Sequence, residues 1–226
     1  NNSQVKNSVS TCNSSNGIIT LTGSLLEGNN SSSNGIHGIS VRTRCVVKNN
    51  NCTYNGRIDA NGAGIYAGAG SSIDNCVALR NTADGIQVSS DCRVENCVAN
   101  ANGNNGDGAG IHATAGDNRI TGNHVSDNDR GLDLDALGNV VADNTVKGNA
   151  DNYAIAAGNQ LTLLICEIPE SLDWPCAAKL AGTLVCSVAN SNGLSVNADD
   201  VTIDLAGHAL VGPGENSGFG IYQLAA

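Results

Sequence analysis

Residues 62–98 read GAGIYAGAGSSIDNCVALRNTADGIQVSSDCRVENCV, and within them one pattern occurs twice. Gly64-Ile65 returns as Gly85-Ile86, and Asn75-Cys76-Val77 returns as Asn96-Cys97-Val98, each after 21 residues. Two anchors displaced by the same interval define a repeating unit, and a period of this length governs the reading of every other motif.

Carried outward, the glycine anchor extends to Gly17-Ile18, Gly38-Ile39, Gly110-Ile111 and Gly131-Leu132, in steps of 21, 26, 21, 25 and 21 residues. The second anchor continues as Asn123-His124-Val125 and Asn144-Thr145-Val146, in steps of 21, 27 and 21, with Ser8 and Cys45 placed in the column of Cys76 and Cys97. A leucine-rich repeat would need leucine at fixed offsets, and a left-handed hexapeptide helix would need a period of six. Here short alternating stretches such as Gly-Ile-Gln-Val and Arg-Val-Glu-Asn-Cys-Val are separated by Asn, Gly, Ser and Asp, which reads as strands punctuated by turns. Stacked on its neighbours, each unit becomes one rung of a parallel β solenoid with aliphatic residues in line inside. Asn at the corners can bond the rungs above and below, so that turn backbone is not buried unpaired.

Composition agrees. Aromatic residues make up 3% of the chain, Met is absent and Gly numbers 28, while the 40% hydrophobic fraction is mostly small or β-branched. Such side chains suit a narrow, repetitive interior. The net charge of −10 comes without a basic stripe, which argues against nucleic acid and anionic membrane surfaces as partners. No apolar run is long enough for a membrane span, and the polar opening NNSQVKNSVS is not a secretory leader.

At the level of these repeats the chain resembles the right-handed parallel β-helix proteins of the pectate-lyase-like superfamily. Asn-Arg-Ile-Thr-Gly-Asn (118–123) and Asn-Val-Val-Ala-Asp-Asn (139–144) are similar to that family's generic coil. LSVNADDVTIDLAGHALVG (194–212) is similar to a segment such proteins commonly carry near their beginning. The expected fold is therefore all-β, a right-handed parallel β-helix with coils of about 21–27 residues. The division expected is 1–154 as coils, 155–182 as a linker or cap containing Cys and Pro, and 183–226 as coils resembling the family's N-terminal part.

GFGIYQLAA (218–226) falls part of the way through a unit. Read on into Asn1, the interval from Gly220 to Gly17 is 23 residues, a normal coil. One arrangement is a permuted monomer whose segment 155–182 runs back along the solenoid. The other is head-to-tail stacking, a non-closing contact that makes a filament, keeps connections short and covers both open ends. It would set Gly220, Ile221, Tyr222, Gln223 and Leu224 of one chain against Val5, Asn7 and Val9 of the next.

Nine cysteines are many for this length and odd in number. Cys45, Cys76 and Cys97, expected on successive rungs about 4.8 Å apart, and Cys166, Cys176 and Cys186 in the non-repetitive segment, are disulfide candidates of an oxidised, extracellular protein. The alternative is a ladder of reduced, buried small residues. Sequons at Asn1, Asn13, Asn29, Asn30 and Asn51 permit N-glycosylation.

Alternation after each Gly-Ile anchor sends Ser40, Tyr66, Gln87, His112 and Asp133 outward in one row. His112 beside Asp133 and Asp135, with Arg130 at the preceding turn, is the richest corner. The resemblance implies that catalytic groups or Ca²⁺ ligands would lie on such a face. Asp133 and Asp135, alternating with Leu132 and Leu134, suit a shared hard cation such as Ca²⁺ or paired acid/base work. Solvated surface residues would look the same, aromatic platforms are few, and no long loops are expected to form a cleft. Two functions follow. The favoured one is a secreted, non-catalytic structural solenoid assembling into an extracellular filament. The other is a carbohydrate-active enzyme, polysaccharide-lyase-like, or a carbohydrate-binding β-helix with a polysaccharide partner.

Overall fold

The computed structural model of the protein describes residues 2–103, 106, 108–168, 170–185, 191–212 and 220–223. Among these every regular element is a strand, and every strand pairing is parallel. Each rung from residue 2 to 155 contributes three short strands, so the solenoid has three faces. The first face stacks Gln4–Lys6, Leu25–Glu27, Val46–Lys48, Ser72–Asp74, Arg93–Glu95 and Arg119–Thr121. The second stacks Val9–Thr11, Asn30–Ser32, Asn51–Thr53, Val77–Leu79, Val98–Asn100 and His124–Ser126, and the long strand Val140–Lys147 joins the two. The third stacks Ile18–Thr20, Ile39–Val41, Ile65–Ala67, Ile86–Val88, Ala109–Ala113, Arg130–Leu134 and Asp151–Ile155.

Inward positions form columns of like residues. Leu26, Val47, Ile73, Val94, Ile120 and Val141 run in register inside the first face, and Ile39, Ile65, Ile86, Ile111 and Leu132 inside the third; all are buried. Side chains of this size, repeated at one height per rung, fill the lumen without aromatic bulk.

Three corners separate the faces, and each carries a ladder of side chains that accept a backbone N–H from the rung before. On the corner before the third face the ladder is asparagine throughout: the Asn13 N–H donates to Oδ1 of Asn34, and Asn34, Asn55, Asn81, Asn102 and Asn128 donate in turn to the next, ending at Asn149, over 2.8–3.1 Å. The corner between the first two faces carries Ser8, Asn29, Asn50, Cys76, Cys97, Asn123 and Asn144. The corner before the first face includes Cys45, Ser71, Cys92, Asn118, Asn139 and Asn159. Ladder positions within a rung are five residues apart, as in Asn139, Asn144 and Asn149. The residue before a ladder position turns the chain with positive φ, as at Asn49 (57°), Asn75 (50°) and Asn96 (54°), a conformation Asn tolerates better than most.

The structure shifts two expected columns. Cys45 does not share the column of Cys76 and Cys97; its N–H meets Ser71 Oγ at 3.1 Å, five residues before Cys76. The step from Cys97 leads to Asn123 (2.9 Å), with Val98 paired to His124, so the anchor Asn75 and Asn96 lie one place before the ladder that Asn123 and Asn144 occupy. A one-residue slip exchanges inside for outside, and buried polar bonding decides which register holds.

The cysteines described are all free thiols: Cys45, Cys76 and Cys176 are buried, and so is Cys97, whose sulfur accepts the Cys76 N–H at 3.4 Å, while Cys166 is half-buried. Cys186 lies outside the described residues. Asn29, a sequon residue, is buried in its ladder and gives both its N–H and Nδ2 to Asn50 Oδ1, so it presents no amide for a glycan. Asn13 is tied to Asn34, whereas Asn30 and Asn51 point outward and Asn1 is not among the described residues.

Segment 155–182 is not a return path. Gln160–Ile165 pairs with Val140–Lys147, Ala177–Leu180 pairs with Gln160–Ile165, and Thr202–Asp204 follows, so the stack continues upward. Glu170–Leu172, Leu194–Val196 and Ile221–Gln223 form a further column of strands. Within one chain Val5, Asn7 and Val9 therefore sit on the first rung, and Gly220, Ile221, Tyr222 and Gln223 at the other end of the strand order, which removes the permuted monomer. Leu224 lies outside the described residues.

Asn81 accepts both the N–H and Nδ2 of Asn55 and donates to the Cys52 carbonyl and Asn102. Asn81→Ala is expected to cost about 2–4 kcal/mol, since it strands several buried polar groups, against less than about 0.5 kcal/mol for the exposed Asn51→Ala. Urea unfolding midpoints of the two variants check this.

Candidate active site on the third face

The third face takes its shape from the asparagine corner beside it. A side chain on Gly64 would meet Asn81 Nδ2 at 2.5 Å and the Gly85 carbonyl at 2.7 Å, and Gly85 faces Asn102 and Gly110 in the same way. That close approach explains the glycine of the Gly-Ile anchor. Beyond it, alternation puts Ile in the core and the next residue outside, and Ser40, Tyr66, Gln87, His112 and Asp133 are in register as expected.

His112 lies at the centre of the charged corner. Its Nε2–H donates to Asp135 Oδ2 at 3.1 Å, and its Nδ1–H donates to Asp84 Oδ2 at 2.9 Å. Asp84 was not among the residues singled out from sequence. Its other oxygen accepts the Ala109 N–H at 2.8 Å, and its side chain is buried. The same column holds Asn16, whose Oδ1 accepts the His37 N–H at 3.0 Å, and His37, whose Nδ1 accepts the Ala63 N–H at 3.0 Å. A polar residue just before the anchor glycine is thus an acceptor for the next rung, and an acid there, at Asp84-Gly85, was the available signal.

Leu132 and Leu134 point inward, which brings Asp133 and Asp135 to the outer side. The two acids then diverge. Asp135 keeps 55% of its side chain exposed, whereas Asp133 retains 8% and accepts Arg130 Nη1 at 2.6 Å. Burial would lower the pKa of His112; the hydrogen bond and charge of Asp84, the hydrogen bond of Asp135 and the charge of Asp133 outweigh it and raise the pKa to about 9. His112 is therefore an imidazolium at neutral pH. His37 behaves in the opposite way: burial lowers its pKa, with Asp59 and Asp84 opposing, and its Nδ1 serves as an acceptor.

These groups border a depression of about 320 Å³, together with Asn61 and Gln87. Asn61 belongs to a connection longer than that of the rung carrying Asp84. Five more residues separate Asn55 from Gly64 than separate Asn81 from Gly85, and four more separate Asn102 from Gly110. The two longer connections belong to the rungs either side of Asp84; in the second, Asp129 Oδ2 accepts the Gly106 N–H at 2.8 Å. A larger depression, about 670 Å³, lies further along the stack, but its Glu167 and Glu170 are both engaged by Asn152 Nδ2 at 2.8 Å.

His112, Asp133 and Asp135 each bring one donor atom within 4.8 Å of the others, and Asp133 and Asp135 are the pair for which Ca²⁺ was expected. The donor set does not fit a hard cation that takes oxygen ligands. One donor is a protonated imidazole and one carboxylate holds Arg130, so the two side-chain cations supply the neutralising charge.

The raised pKa of His112 links pH to stability. Its contribution is full below the ordinary histidine value of 6.5 and is lost as pH rises through about 9. Thermal melting of the native protein is expected to decline between these limits, and His112→Gln to flatten that decline; equal pH profiles would refute the assignment.

The comparisons with known proteins agree with the coil geometry. The family description "Right handed beta helix region" matches residues 1–150, about two thirds of the 226 residues. Neither the curated proteins nor the solved structures compared give a match. With its parallel strands stacked rung on rung over the same residues, the chain belongs to the right-handed β-helix family.

Proposed function

We propose that the protein cleaves a polysaccharide laid along the third face, with His112 as proton donor at the scissile bond. The observation that carries this is the imidazolium held between buried Asp84 and exposed Asp135 in a depression that Asn61 and Gln87 also border. Tyr66, 39% exposed and stacked on His37 with ring centroids 5.2 Å apart, lies two rungs along the same row. At roughly 4.8 Å per rung, a glycan following the stack can rest one sugar on Tyr66 and present another to His112. Polysaccharides of this kind place the protein outside the cell or at its surface.

In the reaction His112 Nε2–H leaves its hydrogen bond to Asp135 and protonates the glycosidic oxygen as the bond from that oxygen to the anomeric carbon breaks. The positive charge developing on the sugar faces Asp135. Water then adds to the anomeric carbon, and its proton passes to Asp135 and from there to the vacated Nε2 of His112, which restores the Nε2–H···Oδ2 hydrogen bond of the resting state. Three carboxylates against His112 and Arg130 leave this corner net negative, which stabilises a cation-like transition state and disfavours a carboxylated sugar at the scissile position. Hydrolysis is therefore the reading, rather than the elimination implied by the sequence resemblance. Asp84 acts as a positioning residue that keeps the imidazole protonated and aimed.

Incubation with a panel of neutral and acidic polysaccharides should yield reducing ends without unsaturated uronides. His112→Gln should lower kcat by about 10²-fold or more with KM little changed, and activity should fall above pH 9. Undiminished cleavage by His112→Gln would overturn the proposal.

A second reading, head-to-tail stacking into a filament, is favoured by one observation. Gln4–Lys6, Val9–Thr11 and Ile18–Thr20 each pair along one edge only among the described residues. Open parallel edges accept further strands, from a second copy or from further coils. Light scattering that gives a dilution-independent mass of 22.8 kDa would remove the assembly.

A further inference from the structure

We infer a second ligand site, for an oxyanion group carried by an acidic sugar, at the corner formed by Tyr54, Arg57 and Arg80; the inference rests on the polysaccharide reading above. Together with Ser33 and Thr82 these residues border a depression of about 340 Å³. Thr82 borders this depression, whereas the next two residues, Ala83 and Asp84, border that of His112. A chain crossing residues 82–84 touches both.

The corner is cationic in a chain of net charge −10. Arg93 and Arg119 are paired with Glu95, and Arg130 with Asp133. Among the described residues no ion pair is formed by Arg57 or Arg80. What holds them is neutral. Arg80 Nη1 donates to the Tyr54 hydroxyl at 2.7 Å with its guanidinium 5.8 Å from the ring centroid, and Arg57 Nη1 donates to the Ser33 carbonyl at 3.3 Å. Each guanidinium has five N–H donors, so most remain for a ligand, and both are oriented before it arrives. Two such forks beside a half-exposed tyrosine ring suit the carboxylate of a uronate or a sulfate ester, with the sugar against the ring.

The two corners divide the ligand by charge. The acidic group is held at Arg57 and Arg80, while the sugar at His112, facing Asp135, carries none. The substrate class is accordingly a glycan in which acidic residues alternate with, or branch from, neutral ones.

Calorimetric titration of the full chain with polygalacturonate, a sulfated galactan and a neutral galactan tests this, with inorganic sulfate as the free-ion arm. One or both acidic polymers should bind about tenfold or more tighter than the neutral one, the stronger identifying the group. Arg57→Gln/Arg80→Gln should abolish that advantage without changing the melting temperature, both residues being exposed, and Arg57→Lys/Arg80→Lys should restore part of it. Acidic polymers binding the Gln variant as they bind the native protein, or inorganic sulfate binding as tightly as the sulfated polymer, would overturn the inference. His112→Gln separates the two proposals: it should spare acidic-polymer affinity while cleavage is lost. Arginine-dependent binding with no cleavage of any polymer leaves this corner standing and removes the His112 reaction; cleavage without arginine-dependent binding does the reverse.

Discussion

The structure depends on satisfying backbone N–H groups at corners that are closed to water. A three-sided coil turns three times per rung, and stacking buries each turn between its neighbours. Asparagine solves this with one side chain: Oδ1 accepts from the rung before, and Nδ2 returns a hydrogen bond to that oxygen's column or to a carbonyl, as Asn102 does with Asn128 Oδ1 and the Ala78 carbonyl. Leaving such groups unpaired would cost on the order of 1–3 kcal/mol each. Where Cys76 and Cys97 replace asparagine, sulfur accepts at 3.4–3.5 Å and gives a weaker bond, which their burial and the neighbouring asparagines make tolerable. The one ladder without such replacements, Asn13 to Asn149, is the ladder against which the glycines of the third face are packed.

The charged site grows out of the same stacking. In the column before the anchor glycines, Asn16, His37 and Asp84 each supply an acceptor to the following rung, and at Asp84 that acceptor is an acid with a second oxygen free to take His112. The backbone bond fixes the carboxylate, and the carboxylate fixes the imidazole. His37, in the same column but with its Nδ1 occupied by an N–H, is held neutral and becomes a stacking partner for Tyr66. Identical residue types thus acquire opposite charge states from the position of one hydrogen bond relative to the ladder.

The Gly-Ile and Asn-x-Val intervals made the solenoid, its parallel stacking and its inward columns legible in the sequence, because side-chain alternation and a fixed period follow from local geometry. The outward row with His112 and Asp133 followed for the same reason. What was not legible depended on distance in sequence. Asp84 and His112 are 28 residues apart, and no single unit shows both. Cys45 was assigned to the wrong corner because Cys-Val occurs at two corners five residues apart, and only the hydrogen bond to Ser71 separates them. The segment 155–182 keeps one asparagine of the ladders, Asn159, and its Leu161, Leu163 and Ile165 supply the same buried alternation as the earlier units. Asp133 was expected to be open to water, and the short bond from Arg130 is what covers it.

The unequal spans between Asn55 and Gly64, Asn81 and Gly85, and Asn102 and Gly110 have a consequence for how such a molecule can change. Ladder residues spaced five apart leave no slack between them, and the span that leaves the third face grows by one residue only, from Gly85–Cys92 to Gly110–Asn118, so most of the added length falls where the coil enters that face. Lengthening a surface connection there costs little closure entropy. Variation is channelled to the rim of the chemistry, and the scaffold can acquire a different selectivity without disturbing the stacking that keeps it folded.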